Sequence, residues 1–162
     1  MRPETRVFRW REIARITLEQ FGGDLNSILS EPYDKARKAL LNFPNIGAPG
    51  AEKILMLCGM ARGLPLESNG VRVLTRIAGL RAQKSYGAMY NAAQDAVLGQ
   101  VPGKAPEIAR AHLLLREHGK RTCRNNGPLC HECPVESMCA FASGRRPLAP
   151  RRIDIVGSGR VQ

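Results

Sequence analysis

Four of the five cysteines fall within seventeen residues, and this cluster restricts the fold more than any other feature of the sequence. They are Cys123, Cys130, Cys133 and Cys139, separated by six, two and five residues. Four thiolates so close in sequence can bind Zn²⁺ tetrahedrally or hold an iron–sulfur cube. Zinc ribbons present two separate Cys-x-x-Cys pairs, whereas this cluster has one such pair and two outlying cysteines. The spacing therefore favours a single loop around a large cubic cluster, with zinc as the alternative.

The charge balance indicates the kind of partner that the chain binds. Twenty-five Lys and Arg residues against fourteen Asp and Glu give a net charge of +11. Because phosphates attract basic side chains and release counterions on binding, nucleic acid is the expected partner, with a merely soluble basic protein as the alternative. No run of about 18 apolar residues is present, so we expect no membrane span. The N-terminal segment lacks the apolar core of a secretory signal, and we expect a cytoplasmic protein associated with the bacterial nucleoid.

The spacing of the apolar residues predicts an all-α fold. They recur at intervals of three and four, and no stretch alternates with the period of a β-strand. The predicted helices contain the apolar residues of the segments 7–21, 32–41, 51–58, 71–77, 89–97 and 106–115, with a short turn at 25–29. Ser68 or Asn69 is expected to cap the helix over 71–77. From about Ser143 the chain is rich in Arg, Pro and Gly, which divides it into a helical domain, 1–142, and a flexible basic tail, 143–162.

The spacing of the cysteines resembles the iron–sulfur loop of endonuclease III and of its adenine-glycosylase relatives. The segment 111–123 also resembles the helix that leads into the first cysteine of that family. The resemblance covers about residues 7–141 and implies a helix-hairpin-helix DNA glycosylase-like helical domain with a C-terminal [4Fe–4S] cluster loop, 123–139. In that family the cluster is structural and shapes a basic loop against the DNA backbone. The corresponding basic residues here are Lys120, Arg121 and Arg124.

The loop between the second and third predicted helices carries another resemblance. Its sequence, Phe43-Pro44-Asn45-Ile46-Gly47, is similar to the hairpin of a helix-hairpin-helix motif, usually Leu-Pro-Gly-x-Gly, in which backbone N–H groups bind a DNA phosphate. Asn45 replaces the first glycine, and Asn adopts the left-handed conformation more readily than most residues. An ordinary loop between packed helices is the alternative. Within this hairpin, 43–50, the expected DNA-binding residues are Asn45, Ile46, Gly47 and Gly50.

The catalytic positions of the family are matched only in part. Glu67 stands where the family has its catalytic aspartate, as the Arg-Val pair that follows indicates. A carboxylate there stabilises the positive charge that builds on the sugar during N-glycosidic cleavage, and it accepts a proton from the nucleophile. The alternative for Glu67 is an acid that complements a helix dipole. Pro49 replaces the lysine that forms a Schiff base in bifunctional members, and Lys53 lies one helical turn further on.

Three functions are compatible with these features. The first is a DNA N-glycosylase of base-excision repair that hydrolyses the glycosidic bond without lysine-based strand cleavage. The second is a non-catalytic [4Fe–4S] module that binds DNA, and the third is a zinc-bearing regulator. For the first two functions, the expected partner is double-stranded DNA. The enzyme would also bind a flipped damaged base. We expect the protein to be a monomer. Because the family carries further helices before this region, we also expect exposed apolar surface.

Overall fold

The computed structural model describes residues 3–101 and 103–144, which form seven α-helices joined by turns. No β-strand occurs in these two ranges, which confirms the predicted all-α class. The chain forms two compact units, Met1–Met60 and Ala61–Gln162. The division into a domain, 1–142, and a tail, 143–162, stays a prediction, and residues 145–162 lie outside the described part of the chain.

The first unit contains four helices around one apolar core. They are α1 (Pro3–Phe21), α2 (Asn26–Leu29), α3 (Tyr33–Leu41) and α4 (Ala48–Leu57). The buried side chains of the core are Ile16, Ile28, Ala36, Leu40, Phe43, Ala51 and Leu55. Arg37 of α3 donates to the Glu52 carboxylate of α4 at 3.1 Å, which joins the two helices on either side of the predicted hairpin. Gly22 and Gly23 have positive φ and end α1 where the sequence predicts.

Helix α1 leaves a large apolar surface exposed. Ile16 is its buried side chain, whereas Val7, Phe8, Trp10 and Leu18 are each more than half exposed, between 52% and 77%. The expected exposed apolar surface is therefore present on this helix.

Even α1, with 19 residues, lacks the apolar run that a membrane span needs, and so does every other helix in the described residues.

The second unit is built on α5 (Ser68–Ala78), which packs against α6 (Tyr86–Ala96) and α7 (Ala105–Arg121). Two 3₁₀ turns follow, Cys130–Glu132 and Glu136–Met138. The cap predicted at Ser68 or Asn69 is wrong by one or two residues. The backbone is extended at Glu67, and the Glu67 carboxylate accepts the Gly70 N–H, so the helix begins at Ser68.

Candidate metal centre and nucleic-acid interface

The four clustered cysteines line one cavity in the second unit. Cys123 comes two residues after α7, Cys130 opens the first 3₁₀ turn, and Cys133 and Cys139 each follow one of the two turns. Cys139 is buried and the other three are partly buried. Further walls of the cavity come from Ile77, His118, Leu129 and Phe141. The two short turns thus bring all four thiols, which the sequence separates by six, two and five residues, to one space.

The donor set fits an iron–sulfur group. Four thiols are the ligands that hold a [4Fe–4S] cube, and soft sulfur donors suit iron–sulfur clusters. Burial and then the neighbouring Cys139, Cys123 and Cys133 raise the pKa of the Cys130 thiol. A cationic group beside Cys130 would favour its thiolate form. Within residues 3–101 and 103–144, no three His, Cys, Asp or Glu side chains are gathered closely enough to hold a single metal ion.

One of the residues that line the cavity, His118, contacts a clustered thiol. His118 Nε2 lies 3.7 Å from Cys133 Sγ, and burial lowers the pKa of His118 below its usual value. Burial therefore favours the uncharged form of the His118 imidazole.

Arg76 of α5 holds both ends of the cysteine loop. Its guanidinium donates to the carbonyl oxygens of Arg124 at 2.7 Å and Asn125 at 3.1 Å, and it lies 3.4 Å from Cys123 Sγ. The same group stacks over the Phe141 ring, 4.7 Å from its centroid, and the Arg76 carbonyl accepts the Phe141 N–H at 3.0 Å. Sequence analysis gave Arg76 no role, because its partners lie about fifty residues further along the chain.

A chain of hydrogen bonds joins Glu67 to the first cysteine. The Glu67 carboxylate accepts the Gly70 N–H at 3.0 Å through one oxygen and the Asn69 side-chain amide at 2.8 Å through the other. The Asn69 oxygen accepts from Arg72 at 2.6 Å, and Arg72 donates to the Cys123 carbonyl at 3.0 Å. Asn69 and Arg72 were also missed as site residues. Together these bonds fix the orientation of the Glu67 carboxylate relative to the start of the loop.

The network depends on a close approach of α5 and α7. A Cβ atom added at Gly119 of α7 would lie 2.7 Å from the Asn69 Cβ and 3.0 Å from the Asn69 carbonyl oxygen. Arg72 also donates to the Gly119 carbonyl at 2.7 Å. Glycine is therefore required at this position by the packing of the two helices.

The predicted hairpin is a tight turn between α3 and α4 in the first unit. Asn45 has φ 68°, the left-handed conformation that the family's glycine would adopt, and the Ile46 N–H bonds to the Phe43 carbonyl at 3.2 Å. Gly47, at the N-cap of α4, supplies no side-chain cap. A Cβ at Gly47 or Gly50 would meet nothing closer than 3.7 Å, so the packing of the chain itself does not require these glycines. They leave room for an external group at the N-terminus of α4.

The two candidate positions for a lysine nucleophile both lie on α4. Pro49 occupies the second residue of the helix, where the missing N–H removes no helical hydrogen bond. Lys53 lies one turn further along the same helix and is partly buried.

The three basic residues predicted to contact DNA are exposed in the second unit. Lys120 and Arg121 end α7, and Arg124 follows Cys123. Arg121 pairs with Glu117 at 3.3 Å, and Arg124 donates to the Gly127 carbonyl at 3.1 Å. The second unit thus brings together the cysteines, Glu67 and these basic residues, whereas the hairpin belongs to the first unit.

Comparison with known proteins identifies related sequences, although no family model matches the chain. It is 24% identical to endonuclease III of Sulfolobus acidocaldarius over 118 residues, which cover 73% of this chain and 50% of that protein. It is 24% identical to endonuclease III of Thermotoga maritima over 133 residues, with coverages of 80% and 54%. Thymine-DNA glycosylase of Aeropyrum pernix is 25% identical over 136 residues, with coverages of 80% and 55%. The chain spans about half the length of these relatives.

Proposed function

Because the chain is related to the endonuclease III family of helix-hairpin-helix glycosylases, we propose that it acts in base-excision repair as a DNA N-glycosylase. The observation that carries the proposal is the position of Glu67. Its carboxylate is partly buried at the N-terminus of α5, and both of its oxygens are held by hydrogen bonds. A fixed anion of this kind stabilises a sugar on which positive charge develops.

The proposed reaction is hydrolytic. The oxygen of a water molecule attacks the anomeric carbon of the sugar, and the base leaves with the electrons of the broken carbon–nitrogen bond. Glu67 takes the proton that the water loses, and the departing base is protonated from solvent. Pro49 supports this route, since the ring nitrogen of an internal proline is an amide nitrogen and cannot form a Schiff base with the sugar.

The cysteine cavity is proposed to hold a [4Fe–4S] cluster through Cys123, Cys130, Cys133 and Cys139. When bound, the cluster supplies a structural cross-link and four strong metal–sulfur attachments for the loop. Residues of the chain itself attach the loop to the helices and bind the DNA. Arg76 ties the loop to α5, and the exposed Lys120 and Arg124 offer positive charge to a DNA backbone.

The hairpin is proposed to bind a phosphate of double-stranded DNA. The support is the left-handed Asn45, the uncapped start of α4 and the open space at Gly47 and Gly50. Contacts of this kind position a protein on DNA without reading its sequence. The net charge of +11 supports a binding that depends strongly on salt.

One observation favours a second function, a non-catalytic DNA-binding module. The Glu67 carboxylate caps α5, which is a sufficient structural reason for an acidic residue at this position. The first function requires that the same carboxylate also faces a bound sugar.

The experiment that separates the two functions is a base-release assay on duplexes that carry single damaged or mismatched bases. We expect Glu67→Gln to abolish release while the dissociation constant for DNA changes less than about twofold, since Gln retains an oxygen that can accept the Gly70 N–H. Glu107→Gln is the matched control, because Glu107 is an acid in the first turn of α7. No release by the wild type or any variant would favour the binding module. Release that survives in Glu67→Gln would show an enzyme in which Glu67 is not the catalytic carboxylate.

Borohydride trapping tests the hydrolytic route. We expect no covalent adduct between the wild-type chain and a lesion-containing duplex, because a Schiff base does not form. An adduct that disappears in Lys53→Ala would overturn this route and identify Lys53 as the nucleophile.

A further inference from the structure

Two tyrosines lie one helical turn apart on α6, close to the segment that carries Glu67. Tyr90 is 6% exposed, and its phenolic oxygen accepts the Leu66 N–H at 3.4 Å and the Gln94 side-chain amide at 3.2 Å. These bonds fasten α6 to the residue immediately before Glu67.

Tyr86 is the exposed member of the pair. It is 54% exposed, and its ring centroid lies 6.5 Å from that of Tyr90, with the rings tilted by 44°. Tyr86 is the first residue of α6, and the Ser85 side chain caps this end by accepting the Ala88 N–H at 3.2 Å. The Tyr86 ring thus neighbours a buried ring, while more than half of the residue is exposed.

The charge of Glu67 affects the titration of Tyr86. Burial and then the charge of Glu67 raise the pKa of the Tyr86 hydroxyl, so the phenol is neutral at physiological pH. A scattered exposed aromatic residue needs no functional explanation. Tyr86 differs from that case because its ring neighbours that of Tyr90, whose hydroxyl accepts the N–H of the residue before Glu67.

We propose that the Tyr86 ring is the surface against which the nucleotide held at Glu67 packs. The inference rests on the proposed function, in which an unstacked nucleotide reaches Glu67. A nucleotide that has left the base stack loses its neighbours, and an aromatic side chain replaces part of that stacking. Because every base has a π-face, the contact would hold the nucleotide without selecting one base. Tyr86 would be a positioning residue, with the charge supplied by Glu67.

The test is a binding measurement that needs no chemistry. The full chain is titrated into a duplex with one bulged 2-aminopurine nucleotide and into the same duplex fully paired, with fluorescence anisotropy and 2-aminopurine emission as readouts. We expect the wild type to prefer the bulged duplex and to quench its emission. Tyr86→Ala should reduce that preference about tenfold, the loss expected for one stacked base, and leave affinity for the paired duplex unchanged within about twofold.

Three control variants distinguish the effect of the aromatic ring from the effects of apolar bulk and of losing any exposed side chain. Tyr86→Phe retains the π-face and should behave as the wild type. Tyr86→Leu retains apolar bulk over Tyr90 but should lose the preference for the bulge. Leu98→Ala removes a side chain of equal exposure, 55%, beyond the opposite end of α6, and should have no effect. Melting temperatures within a few degrees of the wild type show that the variants are folded.

The outcomes distinguish this inference from the proposed function. An unchanged preference in Tyr86→Ala, or a wild type that does not prefer the bulge, overturns the role of Tyr86, whatever base release shows. A selective loss in Tyr86→Ala supports that role even if no base is released. In that case the glycosylase proposal fails alone, and Tyr86 serves a nucleotide-binding module.

Discussion

The packing of α5 against α7 predicts that Gly119→Ala destabilises the protein. The added Cβ would lie 2.7 Å from the Asn69 Cβ, 3.0 Å from its carbonyl oxygen and 3.2 Å from its carbonyl carbon. Two of these three atoms are backbone, so no side-chain rotation relieves the overlap. Forcing an extra methyl into such a contact costs up to about 3 kcal/mol, and the higher helix propensity of alanine offsets about 1 kcal/mol. We therefore expect a net loss of about 2 kcal/mol.

For a chain of this length, that loss lowers the melting temperature by about 4–8 °C, which calorimetry or circular dichroism measures directly. Gly50→Ala is the matched control, because it makes the same replacement in a helix but meets only Ile46, at 3.7 Å. It is expected to leave the melting temperature unchanged or raise it slightly. A melting temperature for Gly119→Ala equal to or above that of the wild type would refute the argument from close packing.

Two further predictions concern the cofactor and the DNA. Protein prepared without oxygen is expected to be brown, with about four irons per monomer. The colour should be lost in Cys130→Ser but kept in Cys58→Ser, which changes a cysteine of the first unit. Colourless protein with one zinc per chain would contradict this prediction. Duplex affinity is expected to fall steeply with salt, and Gly50→Ala to reduce the slope of log K against log salt by about one, because its methyl group blocks a phosphate contact. Affinity that is the same at low and high salt contradicts the second prediction.

Helix positions were predictable because they follow from local apolar spacing and from glycine and proline. The stop at Gly22-Gly23 and the left-handed turn at Asn45 are of this kind. The boundaries were less accurate. The apolar residues place the start of the sixth helix near Met89, whereas the structure begins α6 at Tyr86, because Ser85 caps it with a side-chain oxygen. A polar cap adds turns that the apolar pattern does not contain.

The contacts that organise the cysteine loop were not predictable from spacing. The roles of Arg72 and Arg76 depend on carbonyl groups that only the packing of α5 against α7 and the loop brings within reach. Nothing local in the sequence separates these two arginines from solvent-exposed ones. For Glu67, the structure does not separate the two roles that the sequence suggests. Sequence analysis offered a catalytic acid and a helix-dipole acid as alternatives, and the observed cap leaves both roles open to one carboxylate.

The position of Arg76 has a consequence for how the proposed cluster would be inserted into the cysteine loop. Most of its attachments are to the carbonyl oxygens of residues 123–125 and to the ring of Phe141, and these contacts involve no iron chemistry. Folding of α5 therefore restrains the two ends of the loop independently of the metal. A tethered loop loses less conformational entropy when its ligands close on a cluster than a free one does. Loss of the Arg76 guanidinium should accordingly slow cluster insertion into the newly made protein, even where the mature, loaded protein tolerates the change.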